Sequence, residues 1–161
     1  MKPYHFTAAA FVVSGDRVLL VKHRKLSLWL PPGGHIERNE RGDYIESPEE
    51  AAVREVLEET SYHVRIIGKR VPSRSERRTP LIVPEDNHIH PINDEHDHFG
   101  FDFYAVLEPL EQPEGKGDEE YAWFDSGQLV ELAGSERDGA RLDEDVAYRA
   151  LNALQAALKR G

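Results

Sequence analysis

The apolar positions at the start of the chain form two runs that a short polar stretch separates. Residues 6–13, Phe-Thr-Ala-Ala-Ala-Phe-Val-Val, are almost uninterrupted in their apolar character, which is typical of a buried strand. Ser14-Gly15-Asp16-Arg17 favours a tight turn, and residues 18–22 are again mostly apolar. The pattern predicts two strands joined by a hairpin turn.

A helical period begins near residue 48. Ser47 is a favourable N-cap, Pro48 suits the first helical position, and Glu50 completes a capping box. We therefore predict a helix from residue 48 to about residue 60. One of its faces is apolar and is expected to pack into a core; it consists of Ala52, Val53, Val56, Leu57 and Thr60.

The second half of the chain adds further strands and helices to the prediction. Apolar and aromatic residues predict strands at residues 62–68 and 99–107, and residues 126–132 suit a short helix or turn. The glycine-containing stretch 133–142 is expected to be a mobile loop. An amphipathic helix follows over residues 143–159, and its inward face is predicted to comprise Val146, Ala147, Ala150, Leu151, Leu154 and Leu158.

This order of elements, with strands early, one helix in the middle and one at the end, is typical of the α/β class, in which a mixed sheet lies between helices. A chain of 161 residues suits one domain, residues 1–161, with a core of its own. Within that core we expect Trp29 to be a packing anchor rather than a platform for a nucleotide base.

The composition narrows the classes of function. The chain has no cysteine, which excludes disulfides and thiolate metal sites and fits a reducing compartment. No apolar run approaches the roughly 20 residues that span a bilayer, and the start does not resemble a signal peptide, so we expect a cytoplasmic protein. The net charge of −10 argues against nonspecific binding to nucleic acid or to anionic membranes. An anionic substrate would need a cation in order to bind such a protein.

The densest cluster of candidate chemistry lies on the predicted helix, in Arg54-Glu55-Val56-Leu57-Glu58-Glu59. Its three carboxylates lie at i, i+3 and i+4, on one side of the helix, where like charges repel by a few tenths of a kcal/mol per pair. The triplet is either a solvated acidic face or a site for a divalent cation, which prefers carboxylate oxygens. Upstream, Pro31-Pro32-Gly33-Gly34 lets backbone approach a ligand closely. A Gly-Gly turn ahead of an acidic helix outlines a site for a metal and a diphosphate.

These residues resemble the Nudix hydrolase family, whose sequence box runs Gly, five residues, Glu, seven residues, then Arg-Glu-apolar-x-Glu-Glu-x-Gly-apolar. The chain has Gly34 and then, over 54–62, Arg-Glu-Val-Leu-Glu-Glu-Thr-Ser-Tyr, with an interval between glycine and arginine that is six residues longer than in the family. Ser61 also replaces the glycine of the box. Counted forward from the glycine, the middle glutamate is Glu40; counted back from the arginine, it is Glu46, which we favour because it lies beside the helix cap.

The resemblance implies a Nudix-type α/β/α sandwich with a mixed central β-sheet. It also implies a hydrolase that uses Mg²⁺ or Mn²⁺ to cleave a phosphoanhydride in a nucleotide. By the same resemblance Glu55, Glu58 and Glu59 bind the metal, and the carbonyl of Gly33 or Gly34 contributes.

Two further roles follow from the resemblance. Many family members carry an acidic residue shortly before a Trp-apolar pair, and Glu119 has that place here; it is either a metal ligand or base, or simply part of an acidic loop edge. The general base is then Glu55 or Glu119. Arg54 would orient a carboxylate, that of Glu55 or Glu46, through a bidentate contact.

Candidate substrate contacts lie on both sides of the box. Lys22 and Arg24 precede the Gly-Gly turn and either stay solvated or reach substrate phosphates. Gly33, in the turn itself, is a further candidate for contact with the substrate. The basic run 69–78 is either a solvated charge run or supplies a phosphate ligand, Arg74. Base preference would depend on residues 72–98 and 133–142. The expected partner is a small nucleotide, chiefly a nucleoside di- or triphosphate; a homodimer is compatible with the family, although no patch requires one.

Two other classes of function remain open. A nucleotide-binding Nudix-like sensor would not need all of the glutamates in the triplet. A histidine-centred metalloprotein would instead bind zinc in the 88–98 region. That region contains His88, His90, His96 and His98 among acidic residues, a pattern that also suits a polar loop.

Overall fold

The computed structural model of the chain describes residues 2–109 and 117–160, within which ten strands form one mixed sheet and three helices pack on its faces. The strands are β1 (Tyr4–Ser14), β2 (Arg17–His23), β3 (Leu28–Leu30), β4 (Gly33–His35), β5 (Val64–Ile67), β6 (Asp86–Pro91), β7 (Asp97–Leu107), β8 (Tyr121–Asp125), β9 (Glu136–Arg137) and β10 (Ala140–Arg141). The helices are α1 (Pro48–Thr60), α2 (Ser126–Leu132) and α3 (Glu144–Arg160). No helix in these residues is long and apolar enough to cross a membrane.

Strand β1 lies at the centre of the sheet. It pairs in parallel with β7, from Tyr4 opposite Asp97 to Val13 opposite Val106, and antiparallel with β2. Strands β5 and β6 pair with β7, while β3 and β8 pair with β2. The predicted hairpin and the predicted mixed sheet between helices are confirmed.

The short strand β4 pairs with the first half of β1 and lies beside α1. Gly33 stands opposite Ala9, and a Cβ on Gly33 would lie 2.5 Å from the Cβ of Ala9. Glycine is therefore needed at this position because any side chain would collide with the central strand. The Gly-Gly pair is thus fixed between the centre of the sheet and the acidic helix.

The side chains of β1 alternate between two cores. Phe11 points into the core that α2 and α3 cover, whereas Ala10 and Val12 point into the core that α1 covers. This alternation follows from the two-residue period of a strand. Trp29 is 1% exposed and meets the ring of Phe124 edge-on at 5.3 Å, which confirms its expected role as a core anchor.

Helix α1 has the predicted boundaries. Its capping box is complete, with the Glu50 N–H donating to Ser47 Oγ at 3.3 Å and the Ser47 N–H donating to Glu50 Oε2 at 2.8 Å. Ser61 takes the left-handed conformation that glycine adopts most easily, with φ 63°, and its N–H donates to the Leu57 carbonyl at 2.8 Å. The serine keeps the C-cap geometry at some cost in backbone energy.

The stretch 133–142 is not the mobile loop that its glycines suggested. It forms the β9–β10 hairpin, in which Ala140 and Leu142 are fully buried and the Gly134 N–H donates to the Leu142 carbonyl at 2.7 Å. Gly134 and Gly139 have φ of 76° and 77°, so they make the turns of a packed segment. Because two of its side chains belong to the core, this segment is a fixed part of the fold.

Other expectations are also corrected. Leu158 is 79% exposed, because it lies in the last turn of α3 beside the hairpin turn at Gly15, where the sheet ends. Ala153 is fully buried in the inward face of that helix instead. Leu57 of α1 is exposed at the margin of its apolar face. Within the supposed loop 72–98, residues 86–91 form β6.

Candidate active site

Gly33 and Gly34, which we predicted as a turn, lie instead in strand β4. They are so close to α1 that two glutamates of the helix touch the backbone of β4. The Gly33 N–H donates to Glu59 Oε2 at 3.1 Å. A Cβ on Gly34 would lie 2.4 Å from Glu55 Oε1, so glycine leaves the space that the Glu55 carboxylate fills. The side chain of Glu55 is 15% exposed. The acidic face of α1 is therefore partly buried against β4. The solvated face, one of the two interpretations of the triplet, is found only toward Glu58, whose side chain is 51% exposed.

Arg54 joins the acidic residues into one network. It makes a bidentate contact with Glu46, with Nη2 donating to Oε1 at 2.7 Å and Nε donating to Oε2 at 3.1 Å. Nη1 donates to Glu55 Oε1 at 2.8 Å and to Glu58 Oε2 at 3.2 Å, and Nη2 also donates to the His35 carbonyl at 3.0 Å. One guanidinium thus fixes three carboxylates and the end of β4.

The structure brings Glu46, not Glu40, to this arginine. The six-residue excess closes on itself as a turn, with the Asn39 N–H bonded to the Asp43 carbonyl and the Gly42 N–H bonded to the Asn39 carbonyl, both at 2.9 Å. Glu40 lies exposed in that turn. The insertion therefore precedes the middle glutamate of the box, which makes counting back from the arginine the appropriate alignment.

The carboxylates of the site repel one another electrostatically. Burial, followed by the negative charges of Glu55, Glu119 and Glu58, raises the pKa of Glu59 to about 8, although the Gly33 N–H acts in the opposite sense. Burial also raises the pKa of Glu55 despite the contact with Arg54. A hard divalent cation fits this donor set, because it takes carboxylate oxygens and would remove their mutual repulsion.

Glu119 is held against the end of α1. Its N–H donates to the Glu59 carbonyl at 3.1 Å, and the Asp118 N–H donates to the Glu58 carbonyl at 3.0 Å. Glu119 Oε2 is closed off from solvent and has no hydrogen-bond partner in the part of the chain that the structure describes. Gly117 permits this contact, because a Cβ there would lie 2.0 Å from the Glu59 carbonyl oxygen. The sequence reasoning did not single out Gly117, and its place in Gly115-Lys116-Gly117 was the available signal.

The candidate cations divide into two groups. Arg24 Nε lies 3.7 Å from Glu119 Oε2, and Lys22 Nζ lies 3.5 Å from Glu120 Oε2, so both flank the acidic site. Arg74 lies exposed between β5 and β6. Within the described residues, no hydrogen bond or ion pair joins Arg74 to the glutamates.

A second group of ionisable residues lies where one end of each of the strands β1, β4, β6 and β7 comes together. Four of its members were singled out from the sequence, and the pairing of β1 with β7 and β4 adds two more. This histidine cluster consists of His5, His35, His88, His90, His96 and His98. Burial, followed by the charges of neighbouring imidazoles, lowers the pKa of His98 to about 4.

Known proteins share both the sequence pattern and the fold. A family model described as the NUDIX domain matches residues 3–145. A Bacillus subtilis (strain 168) protein, named as a candidate 8-oxo-dGTP diphosphatase, is 42% identical over 67 residues. That match covers 40% of this chain and 41% of the relative, so the chain matches about two fifths of the relative's length.

Solved structures match almost the whole chain. A NUDIX family hydrolase from Clostridium perfringens has a TM-score of 0.73 and 28% identity, covering 96% of this chain and 99% of that one. A NUDIX hydrolase from Nitrosomonas europaea has a TM-score of 0.63 at 20% identity, covering 96% of this chain and 90% of that one, and shows the shared fold. With the family model spanning most of its length, the chain belongs to the Nudix family.

Proposed function

We propose that this protein is a divalent-metal-dependent pyrophosphohydrolase that cleaves a diphosphate linkage in nucleoside di- or triphosphates or in related nucleoside diphosphate derivatives. The observation that carries the proposal is the convergence of Glu55, Glu59 and Glu119 beside the Gly-Gly pair of β4. Their charges are crowded there, and the pKa of Glu59 rises to about 8. Such an arrangement is costly for a folded protein unless a cation binds.

The residues present fit Mg²⁺ or Mn²⁺. Glu55, Glu58 and Glu59 would hold the metal, with the Gly34 carbonyl as a backbone ligand. When bound, the ion supplies positive charge that neutralises the phosphates and acidifies water. Mg²⁺ prefers oxygen ligands and usually keeps several waters, so three carboxylates are sufficient on the protein side.

The remaining groups position the reaction. Arg54 fixes the direction of the Glu55 carboxylate and so holds it as a ligand. Arg54 donates a hydrogen bond to the Glu55 carboxylate, whereas no hydrogen bond reaches the Glu119 carboxylate among the described residues, which favours Glu119 over Glu55 as the acceptor of the proton from the attacking water. Lys22 and Arg24 flank the same site and would bind the substrate's phosphates.

The Bacillus subtilis relative directs attention to oxidised nucleotides. Because that match covers 41% of the relative, 8-oxo-dGTP is one substrate to test among several. Among the described residues Arg74 makes no hydrogen bond or ion pair with the glutamates, so it is a less direct phosphate ligand than Lys22 and Arg24, which flank the acidic site.

The test is product formation from a nucleotide panel with Mg²⁺, with Mn²⁺ and with a chelator. Phosphate and pyrophosphate report cleavage of nucleoside di- and triphosphates, and the shorter nucleotides and phosphate esters, separated by chromatography, report cleavage of the other compounds. The panel comprises nucleoside di- and triphosphates, 8-oxo-dGTP, nucleoside diphosphate sugars, ADP-ribose and dinucleoside polyphosphates. Glu59→Gln removes a proposed ligand, and Glu131→Gln, an exposed glutamate of α2, is the matched control. Metal-dependent release by the wild type and the control alone supports the proposal. Nucleotide binding without formation of any cleavage product would indicate the sensor instead.

A further inference from the structure

Three histidines of the cluster lie close enough to share one ion. The nearest ring nitrogens of His5, His35 and His96 all lie within 4.8 Å of one another. Two nitrogens that bind Zn²⁺ at about 2.05 Å in a tetrahedral arrangement are about 3.3 Å apart. The rings of His5 and His96 are stacked with centroids 3.9 Å apart, and rotation of these side chains would close the three imidazoles around a single ion.

The backbone holds these histidines in place from three separate segments. His35 pairs with Thr7 through the β4–β1 ladder, and His5 stands opposite His98 in the β1–β7 ladder. The Asp97 N–H, next to His96, donates to the Pro3 carbonyl at 3.1 Å. Sheet hydrogen bonds thus position His5 and His35, and His96 is the last residue of the β6–β7 connection, next to the first residue of β7.

The surroundings of these rings leave room for an ion. His5 and His35 line an open cleft of about 270 Å³. The ring of His98 lies 4.8 Å from that of His35, and its Nε2 is closed off from solvent with no hydrogen-bond partner among the described residues. Arg38, a cation that also lines the cleft, is engaged over the ring of Tyr44 at 4.3 Å. A fourth ligand position is thus left for water, or for His98 once its ring turns toward the three ligand atoms, which lie within 4.8 Å of one another without it.

The neighbouring acidic group is a poorer candidate. Asp86, His88 and Asp102 also have ligand atoms within 4.8 Å of one another. However, Asp102 accepts a hydrogen bond from Arg149, which also lies 3.6 Å from Asp86. The guanidinium already neutralises these carboxylates and would repel a cation.

We propose that His5, His35 and His96 bind one Zn²⁺-class transition-metal ion, at a site formed without the glutamates of α1. Imidazole nitrogen favours Zn²⁺ and its transition-metal neighbours, whereas Mg²⁺ favours oxygen, so the two sites select different ions. The ion links β4 to β1 and to the residue that precedes β7. Because the His35 carbonyl accepts a hydrogen bond from Arg54, the same ion also stabilises one end of the network that Arg54 makes with the glutamates.

The test is calorimetric titration of the chelator-treated full chain with Zn²⁺, in excess Mg²⁺ so that the carboxylates are already occupied. We expect one Zn²⁺ per chain, a higher Tm when it is bound, and affinity at least tenfold weaker in His5→Asn and in His96→Asn. His63→Asn removes a histidine outside the cluster and should bind like the wild type. Glu59→Gln should also retain zinc binding, which separates this site from the proposed catalytic one.

A second measurement needs no variant. Zn²⁺ should shift the imidazole NMR resonances of His5, His35 and His96 in the wild type and leave those of His63 in place. Absence of zinc binding in Mg²⁺ overturns the proposal. So does affinity that is unchanged in both cluster variants, affinity that is lost in Glu59→Gln, or a set of shifts confined to other histidines.

Discussion

Replacing Glu59 with glutamine should stabilise the metal-free protein while it removes activity. Burial, together with the carboxylates of Glu55 and Glu119, raises the pKa of Glu59 from 4.5 to about 8. The folded state therefore binds this proton more tightly than the unfolded state, and ionisation of Glu59 opposes folding. The stability of the wild type should fall as the pH rises from about 4.5 to about 8, and Glu59→Gln should escape that loss.

The size of the effect follows from the pKa. Each tenfold change in proton affinity is about 1.36 kcal/mol, so a rise from 4.5 to about 8 sets an upper bound of about 5 kcal/mol. Glu59 retains partial contact with solvent, which screens its charge, and we expect about 2 kcal/mol. Glutamine has the same shape, and its side-chain carbonyl can still accept the Gly33 N–H that Glu59 accepts at 3.1 Å.

Urea unfolding in a chelator, at about pH 5 and about pH 9, measures this difference. The variant should match the wild type closely at the lower pH and exceed it by about 2 kcal/mol at the higher pH. Glu131→Gln should show no such gap, and excess Mg²⁺ should narrow the gap because the cation stabilises the wild type. A variant that is no more stable than the wild type at about pH 9 would refute the reasoning.

Three other predictions concern the same helix and its flanks. Gly34→Ala places a Cβ 2.4 Å from Glu55 Oε1 and should displace that carboxylate. We expect kcat to fall by about tenfold to a hundredfold while the circular dichroism spectrum stays that of a folded protein, and full activity would contradict the contact. Deletion of residues 41–45 removes most of an exposed turn and should cost less than ~2 kcal/mol in urea unfolding, whereas a larger loss would show that the turn packs as structure. Ser61→Gly relieves a φ of 63° and should add about 1 kcal/mol of unfolding free energy; a destabilised variant would argue against the left-handed cap.

The elements that sequence reasoning predicts well are those with local signals. Ser47, Pro48 and Glu50 define the start of α1 through contacts within four residues, so no distant part of the chain is needed to recognise it. The hairpin of β1 and β2 has a similar local basis in its turn and its two apolar runs. Such signals placed the acidic helix correctly, whereas Gly33 and Gly34, which we predicted as a turn, lie in strand β4.

Errors arose where tertiary packing decides the outcome. The glycines at 134 and 139 suggest mobility, but Leu142 is drawn into the core by its contacts with the rest of the fold. A solvated acidic face was one interpretation of the α1 triplet, because sequence spacing does not show how close β4 lies to it. That closeness is what buries Glu55 and raises the pKa of Glu59.

The histidine cluster shows the same limit over a longer range. His88, His90, His96 and His98 are recognisable as a group because they lie close together in the sequence. His5 joins them only through the parallel pairing of β1 with β7. A parallel ladder between the first strand and a strand more than ninety residues later has no local signal, so no sequence pattern could have placed His5 there.

The central claim is that the glutamates of α1 hold the metal that hydrolysis requires. Its most direct test compares the rates at which wild type and Glu59→Gln cleave the best nucleotide of the panel in saturating Mg²⁺. We expect a loss of at least ~10²-fold in kcat, with Glu131→Gln at the wild-type rate. A rate in Glu59→Gln within about threefold of the wild type would remove Glu59 from the site and contradict the account.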